Sequence, residues 1–307
     1  MNSPNIFHIS ARLSGSLTVE LYLLKGEQSI IIDSGAHPYA VDCLSRDMGN
    51  LGIRPADIDV VLNTHGHPDH IGGNKTIASS SNAKVWIHAS DSEYLTDAKG
   101  CFRKYLAPVM RACGSDVEAE ERFYLDGVGP VVPPARLLKD GDTIDAGRGV
   151  RLTCVHLPGH TNGSVGFFWE QEGIFFSGDA VAGLHVDKGK LPIVQNLSLY
   201  LESLAKIRQM PIRRLLCGHP YRGVRLPAAH IRNGREVGLF LDDSLELGRR
   251  LADAIESVRP YRDEKNFIEL ADEVVSALPR EMGFLPISQI PNPMITPQAV
   301  FFSLYPS

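Results

Sequence analysis

The chain has 307 residues, of which 43% are hydrophobic and 22% are charged, a composition that predicts a globular protein with a sizeable core. The formal net charge of −5 gives no general attraction to nucleic acid or anionic lipid, so neither is expected as a partner. The sequence lacks both an apolar run that could cross a bilayer and a secretory signal at its start, and its five cysteines have no close pairing, which favours a reduced, cytoplasmic setting.

The first sixty residues predict strands followed by a helix. Residues 17–24 alternate as in a strand, a turn follows at 25–27, and residues 29–33 read as a buried strand that ends at Asp33. Asp33 is of the type that caps a turn. A helix is predicted over 39–51.

The segment 63–74 carries the strongest functional signal. It follows a short buried strand at 58–62, so its side chains are expected at the carboxyl end of that strand, where open α/β sheets place their ligands. Within six residues it holds three imidazoles and one carboxylate, a ligand set that zinc and similar cations accept. The candidate ligands are His65, His67, Asp69 and His70.

An irregular region follows a further predicted strand at 84–88. Residues 91–135 look like an insertion, with a helical pattern over 101–113 that Pro108 would kink. The segment combines aromatic, methionine and basic side chains beside the candidate metal loop. It is predicted to form either a substrate lid or wall, or plain surface packing.

The second half repeats one pattern, in which a short apolar strand is followed by a candidate ligand. Strands predicted at 150–156, 173–178 and 213–218 precede His160, Asp179 and His219 respectively. A hairpin strand is predicted at 164–169 and an amphipathic helix at 199–210. Each ligand is a weak signal alone, but together they supply the side chains that the metal loop lacks.

The tail differs in character from the rest of the chain. Residues 226–280 read as helices, notably 237–255 and 267–278, whereas 279–307 hold five prolines and no clear period. We therefore predict a catalytic domain over 1–225, with its insertion, and a helical extension or cap over 226–307 with a loosely structured end.

The His-x-His-x-Asp-His pattern of residues 65–70 resembles the signature of the metallo-β-lactamase superfamily. The resemblance implies an α/β fold, a four-layer αββα sandwich, and two divalent metal ions, most simply Zn²⁺, with iron or manganese also accepted. In that family Asp33 would orient a ligand imidazole, and a histidine at the position of His88 is not a ligand. One ion would take His65, His67 and His160, the other Asp69, His70 and His219, with Asp179 bridging the two.

The resemblance also implies a reaction. Two such ions would share a hydroxide that attacks a carbonyl, and Asp69 would protonate the leaving group. An aspartate at the bridging position makes the ligand set resemble that of the glyoxalase II and lactonase branch. The second half of the chain is similar to the thioesterase of bacterial quinolone signalling. The expected substrate is a small-molecule ester, thioester or lactone. A phosphodiesterase and a catalytically silent metal-binding regulatory protein remain alternatives.

The sequence allows two roles for some residues near the expected site. Signal-degrading lactonases often have a tyrosine where this chain has Ala182, and Tyr221 or His185 would be the substitute donor unless both are bystanders. Cys217 would either touch the site or serve as a small buried apolar residue. The oligomeric state is left open.

Overall fold

The computed structural model describes residues 6–14, 17–50, 52–185, 189–290 and 297–306. Within these ranges the chain forms two six-stranded sheets that face each other, with helices packed on the outer face of each. This arrangement confirms the predicted four-layer αββα sandwich with C-terminal helices.

The first sheet is mixed. Its first three strands run antiparallel to their neighbours as consecutive hairpins, and the next three join in parallel. The parallel part places the carboxyl ends of its strands at one edge, which is where the metal loop lies. In spatial order the strands are β1 (Ile6–Ser14), β2 (Leu17–Lys25), β3 (Ser29–Ile32), β4 (Val60–Leu62), β5 (Lys84–His88) and β6 (Arg136–Leu138).

The second sheet is antiparallel except for one parallel pair, β10 with β11. That pair brings the ends of the strands associated with Asp179 and His219 side by side. In spatial order the strands are β12 (Ala229–Asn233), β11 (Arg214–Tyr221), β10 (Ile174–Gly178), β9 (Val165–Trp169), β8 (Val150–His156) and β7 (Thr143–Gly147).

In chain order, the helices that cover the first sheet, together with those of the insertion, come before the helices that cover the second sheet. The first group comprises α1 (Tyr39–Asn50), α2 (Pro68–Ile71), α3 (Asn74–Ser81), α4 (Ala98–Tyr105), α5 (Ala107–Ala112) and α6 (Val117–Val128). The second group comprises α7 (Leu197–Arg208), α8 (Arg235–Val258), α9 (Phe267–Ala277) and α10 (Gln298–Leu304). None of the helices in the described ranges is long and apolar enough to span a membrane.

Alternation along the strands builds the layered core. On β2, Leu21 and Leu23 pack against the helices of the first layer, whereas Tyr22 and Leu24 face the second sheet. Because successive side chains of a strand point to opposite faces, one strand can serve both apolar layers. A third layer lies between the second sheet and helices α7 to α10.

The predicted helices over 39–51, 199–210, 237–255 and 267–278 agree with the structure to within a few residues at their ends, although residue 51 lies outside the described ranges. The expectation of helices throughout 226–280 was wrong at its start, because residues 229–233 form β12, which pairs with β11 at the edge of the second sheet. The segment 101–113 divides at Leu106 into α4 and α5. Pro108 stands in the first turn of α5, where its missing N–H has no helical acceptor to lose.

The expectation of a loosely structured end at 279–307 was wrong for residues 297–306. This stretch contains α10, whose Val300 and Leu304 are fully buried against α8 and α9. Tertiary packing stabilises a helix too short to form alone. Residues 291–296 and 307 lie outside the described ranges.

Candidate metal centre

The predicted ligands meet at one rim of the sandwich, on the segments that follow the strands. His65 and His67 come after β4, Asp69 and His70 lie in the single turn of α2, and His160 follows β8. The second sheet adds two more side chains, Asp179 after β10 and His219 on β11. The residues are buried except Asp69, whose side chain is 25% exposed.

Three imidazoles form the first group. Nε2 of His160 lies 3.1 Å from Nε2 of His65 and 2.9 Å from Nδ1 of His67. Two of these residues come from the first sheet and one from the second, so the group exists only because the two sheets face each other.

Two imidazoles and a carboxylate form the second group. Oδ2 of Asp69 lies 3.2 Å from Nε2 of His219 and 3.6 Å from Nε2 of His70. Asp179 lies between the groups, because its Oδ2 is 3.3 Å from Nε2 of His219, 3.6 Å from that of His70 and 3.7 Å from that of His160.

These residues fit a pair of divalent ions. Nitrogen ligands about 2.0–2.1 Å from a tetrahedral zinc stand roughly 3.3 Å from one another, close to the distances within the first group. Nε2 of His70 and Oδ1 of Asp179 are buried without a hydrogen-bond partner among the described residues, although buried polar atoms are usually paired. Imidazole nitrogens and carboxylate oxygens are also the donors that such cations prefer.

A ring of acceptors orients the ligand imidazoles from behind. Nδ1 of His70 donates to Oδ2 of Asp33 over 2.7 Å, Nδ1 of His160 to the carbonyl of Ile193 over 2.7 Å, and Nδ1 of His219 to the carbonyl of Thr18 over 2.6 Å. His65 has a similar contact with the hydroxyl of Thr64. With Nδ1 held as the donor, each of these rings turns its Nε2 into the site, and that nitrogen can coordinate an ion when it is unprotonated.

Asp33 therefore contacts a candidate ligand directly, in the manner that the family resemblance implied. It also accepts from the backbone N–H and the hydroxyl of Thr64, at 2.8 Å each. Its φ of 61° lies in the left-handed region, which aspartate tolerates better than most residues. One side chain thus fixes both the loop backbone and the ring of His70.

The first group is electrically neutral at pH 7. Burial lowers the pKa of His67 to about 3 and holds the pKa of His65 well below its usual value. Burial likewise lowers the pKa of His160. Three neutral imidazoles are ready to coordinate without losing a proton first.

The second group is charged in the metal-free protein. Burial would lower the pKa of His219, but Asp179 and Asp69 raise it to about 10. Burial would also lower the pKa of His70, but the carboxylates of Asp69, Asp33 and Asp179 raise that pKa well above its usual value. Burial would raise the pKa of Asp179, yet His219 and His70 hold it well below the usual range.

Asp91 is a structural element of the centre that the sequence did not reveal. Its carboxylate accepts from the backbone N–H groups of Gly66 and Gly163, at 2.9 and 2.6 Å, and from the hydroxyl of Thr161 at 2.7 Å. Gly66 separates His65 from His67, and Thr161 follows His160. Burial raises the pKa of Asp91 to about 6, although these three donors oppose the rise.

Gly218 lets the backbone pass close to two of the candidate ligands. A Cβ atom at this position would lie 2.4 Å from Oδ1 of Asp179 and 2.9 Å from Cε1 of His70. No side chain is tolerated at such distances without moving a ligand, so glycine is required beside His219.

Tyrosines form parts of the wall around the ligands. The ring of Tyr94 lies edge-on to His67, with centroids 6.2 Å apart, and its hydroxyl accepts from Nε2 of Gln195 at 2.9 Å. Tyr221 lies edge-on to His219 at 5.7 Å. Tyr221 is thus beside the ligands, as its role as a substitute donor would require.

The other residues singled out in the sequence contact groups that are not candidate ligands. His88 caps the turn that follows β5 by accepting from the N–H of Ser90, and its ring stacks on His156 at 4.1 Å. Cys217 is fully buried in the apolar layer between the second sheet and helices α7 to α10. The backbone carbonyl of His185 accepts from Nε of Arg222, and Ala182 is buried against the hydroxyl of Tyr200.

Comparison with known proteins agrees with this geometry. A model of the metallo-beta-lactamase superfamily matches residues 17–219. A hydroxyacylglutathione hydrolase of Hyphomonas neptunium is 30% identical over 165 residues, which are 53% of this chain and 49% of the relative, so the match spans about half of each. A probable metallo-hydrolase of Methanocaldococcus jannaschii is 24% identical over 216 residues, covering 69% of this chain and 92% of the relative.

Solved structures share the fold. A metallo-beta-lactamase family protein from Thermus thermophilus superimposes with a TM-score of 0.70 at 21% identity, over 98% of this chain and 93% of the other. A subclass B3 metallo-beta-lactamase of Bradyrhizobium japonicum gives a TM-score of 0.55 at 20% identity, over 82% and 94%. Since the family model covers well over half of the sequence, the chain belongs to the metallo-beta-lactamase superfamily.

Proposed function

We propose that this protein is a hydrolase that uses two divalent metal ions, most simply Zn²⁺, to cleave a thioester or lactone of a small metabolite. The observation that supports this proposal best is the position of Asp179. A single carboxylate oxygen lies within 3.7 Å of nitrogen atoms from both ligand groups, which is the arrangement that a shared ligand of two ions needs.

His65, His67 and His160 would hold one ion, Asp69, His70 and His219 the other, and Asp179 both. When bound, such ions supply an activated water at neutral pH and polarise the carbonyl under attack. The protein's own contribution is to hold the ligands rigidly and to keep most of the site dry, since the ligands other than Asp69 are buried.

Asp69 is proposed as the group that hands a proton to the leaving group. Its partial exposure sets it apart from the other ligands and places it where a substrate can reach it. His70 and His219 hold its pKa below the usual value even though burial opposes them, so it stays ionised until a proton is delivered. A carboxylate in this position can accept a proton and pass it on.

A carbonyl substrate is favoured by the relatives. Two of the relatives of this chain are named hydroxyacylglutathione hydrolases, and hydroxyacylglutathione is a thioester. Both matches cover about half of the relative.

The test is a substrate panel on the zinc-loaded protein. Hydroxyacylglutathione, an acyl-coenzyme A, an acyl-homoserine lactone and bis-(p-nitrophenyl) phosphate are each followed as kcat/KM. We expect turnover of a thioester or lactone, and loss of about 10²–10⁴-fold of it in Asp69→Asn if that residue transfers the proton. Asp97→Asn, the same change at an exposed carboxylate that caps α4 through the N–H of Gly100, serves as the control and should keep full activity.

Two outcomes would contradict the proposal. Turnover of the phosphodiester alone would make the protein a phosphodiesterase of the same fold. Tight metal binding without turnover of any of the four probes would favour a silent metal-binding regulatory protein.

A further inference from the structure

A second cluster of ligand-type side chains lies where the free edges of the two sheets meet. His8 on β1, Glu20 on β2 and His230 on β12 each offer one atom within 4.8 Å of the other two. β1 and β12 are the outermost strands of their sheets, so the cluster joins two edges. None of its members belongs to the candidate metal centre.

The carboxylate of the cluster is buried and held in one orientation. Glu20 is only 2% exposed, and its Oε1 accepts from the hydroxyls of Ser10 at 3.1 Å and Thr18 at 2.5 Å. These bonds turn Oε2 toward the imidazoles, where it is in direct contact with Nε2 of His8. The side chain of His8 is 32% exposed, so the cluster is open to solvent on one side.

We propose that His8, Glu20 and His230 form an additional binding site for a borderline divalent transition-metal ion of the Zn²⁺ class. Two imidazoles and one carboxylate are a sufficient protein ligand set for zinc, with the fourth position left to water. The hydroxyls of Ser10 and Thr18 fix the orientation of the Glu20 carboxylate. The acceptors that bond to the imidazoles of the candidate metal centre have the same effect on those rings.

Ion binding would change the geometry of the two rings. His8 and His230 now stack, with centroids 4.3 Å apart and an angle of 18° between the planes. Ligands of a tetrahedral ion stand roughly 3.3 Å apart, so the rings must turn to direct one nitrogen each toward Oε2. The partial exposure of His8 leaves room for that rotation.

The competing explanation is an ion pair between protonated His8 and Glu20 with no metal. The protein contains a suitable contrast in His88 and His156, whose rings stack at 4.1 Å and 11°. Among the described residues that pair belongs to no group of three metal-ligating side chains, and each ring is engaged by a backbone group, the N–H of Ser90 for His88 and the carbonyl of Asn162 for His156. It is therefore a stacked pair without a site.

The experiment measures bound Zn²⁺ per chain. Wild type, His8→Ala, His230→Ala and the control His156→Ala are dialysed against a series of buffered free Zn²⁺ concentrations and analysed by plasma mass spectrometry. We expect His8→Ala and His230→Ala each to bind one ion fewer than wild type, and His156→Ala to match wild type. The difference of one ion is expected whether or not the catalytic centre binds two, so this test is independent of the proposed function.

A second readout uses Co²⁺ in place of Zn²⁺. Wild type should show an additional visible absorption at the concentration where the extra ion binds, and Glu20→Gln should lack it while retaining the wild-type circular dichroism. Equal zinc counts in wild type, His8→Ala and His230→Ala, at every free concentration, would overturn the proposal and leave the ion pair as the explanation.

Discussion

At the scale of single residues, the centre depends on how little space surrounds its ligands. Asp179 approaches both ligand groups through one oxygen, and its other oxygen lies against the backbone of Gly218. Each ligand imidazole except His67 also has a fixed acceptor or hydroxyl behind it. Small displacements here are therefore expected to alter metal binding before they alter the fold.

Gly218→Ala is the most direct test of that crowding. The new methyl group must displace Asp179 or His70, so we expect metal affinity to fall about 10–100-fold and the free energy of unfolding by about 1–3 kcal/mol. Competition with a chromogenic chelator and chemical denaturation measure the two effects. Gly49→Ala, in an exposed helical position with nothing near its added Cβ, should instead be neutral or slightly stabilising.

The charges of the two ligand groups predict a difference in how they bind metal. His65, His67 and His160 have lowered pKa values and are neutral at pH 7, whereas His219, with a pKa of about 10, and His70 must each lose a proton. We expect one ion to bind with little pH dependence between pH 6 and 8, and the other to gain up to about 100-fold in affinity per pH unit.

Isothermal titration of the metal-free protein in buffers of different ionisation enthalpy measures the proton release. About two protons should leave with one of the ions and none with the other. The pKa of His219 is about 10 in the folded, metal-free protein and about 6.5 in the unfolded chain. The protonated ring therefore stabilises the fold fully below about pH 6.5, and this stabilisation is lost as the pH rises through about 10. Equal proton release for the two ions would contradict this assignment of charges.

At the scale of elements, the centre is assembled from loops that the sequence keeps far apart. The turn after β5 carries Asp91, the loop after β4 carries Gly66, and the loop after β8 carries Thr161 and Gly163. Asp91 accepts hydrogen bonds from both loops and so fixes their positions relative to each other. This buried carboxylate connects the two sheets through hydrogen bonds alone.

Asp91→Ala should therefore disturb both loops together. Three donors lose their acceptor, and we expect the free energy of unfolding to fall by about 3 kcal/mol and metal affinity by about 10–100-fold. Asp97→Ala provides the control in the same segment, because Asp97 only caps α4 through the N–H of Gly100. The control should lose about 1 kcal/mol of stability without a change in metal affinity.

At the scale of the whole molecule, the C-terminal helices are part of the same body as the sandwich. Gln298 of α10 is fully buried, and its Nε2 donates to the carbonyl of Tyr105 over 3.1 Å. Tyr105 lies at the end of α4 and stacks on Tyr94, which in turn faces His67. The tail, the insertion and the metal loop thus form one chain of contacts.

Gln298→Ala tests this connection. Removing the donor leaves the carbonyl of Tyr105 without this partner in a partly buried position, and we expect a loss of about 1 kcal/mol in the free energy of unfolding. Gln289→Ala removes the same side chain from an exposed position and should change stability by less than about 0.5 kcal/mol. Denaturant titrations of the two variants give the comparison; equal losses would show that the contact contributes nothing.

The sequence was informative where ligand type and strand ends coincide. The spacing within 65–70, and the placement of His160, Asp179 and His219 after apolar strands, were sufficient to nominate side chains that the structure brings together; their role as metal ligands stays a prediction. Asp91 and the pair His8 and His230 could not be found in this way. Their partners are separated by dozens to hundreds of residues, and no local pattern reports such contacts.

The tail shows a different limit. Its prolines and its lack of period indicated loose structure, yet α10 is helical because α8 and α9 offer it an apolar surface. Burial of Val300 and Leu304 depends on distant elements and leaves too short a pattern to detect. Propensity is a weak guide where tertiary packing supplies the stabilisation.

The division of the first ligand group between the sheets has one further consequence. His65 and His67 belong to one half of the chain and His160 to the other, so neither half alone presents the complete trio. A cobalt ion seated among them would change colour only once the halves have docked. The visible absorbance of cobalt in this centre would therefore report when the two sheets dock during refolding.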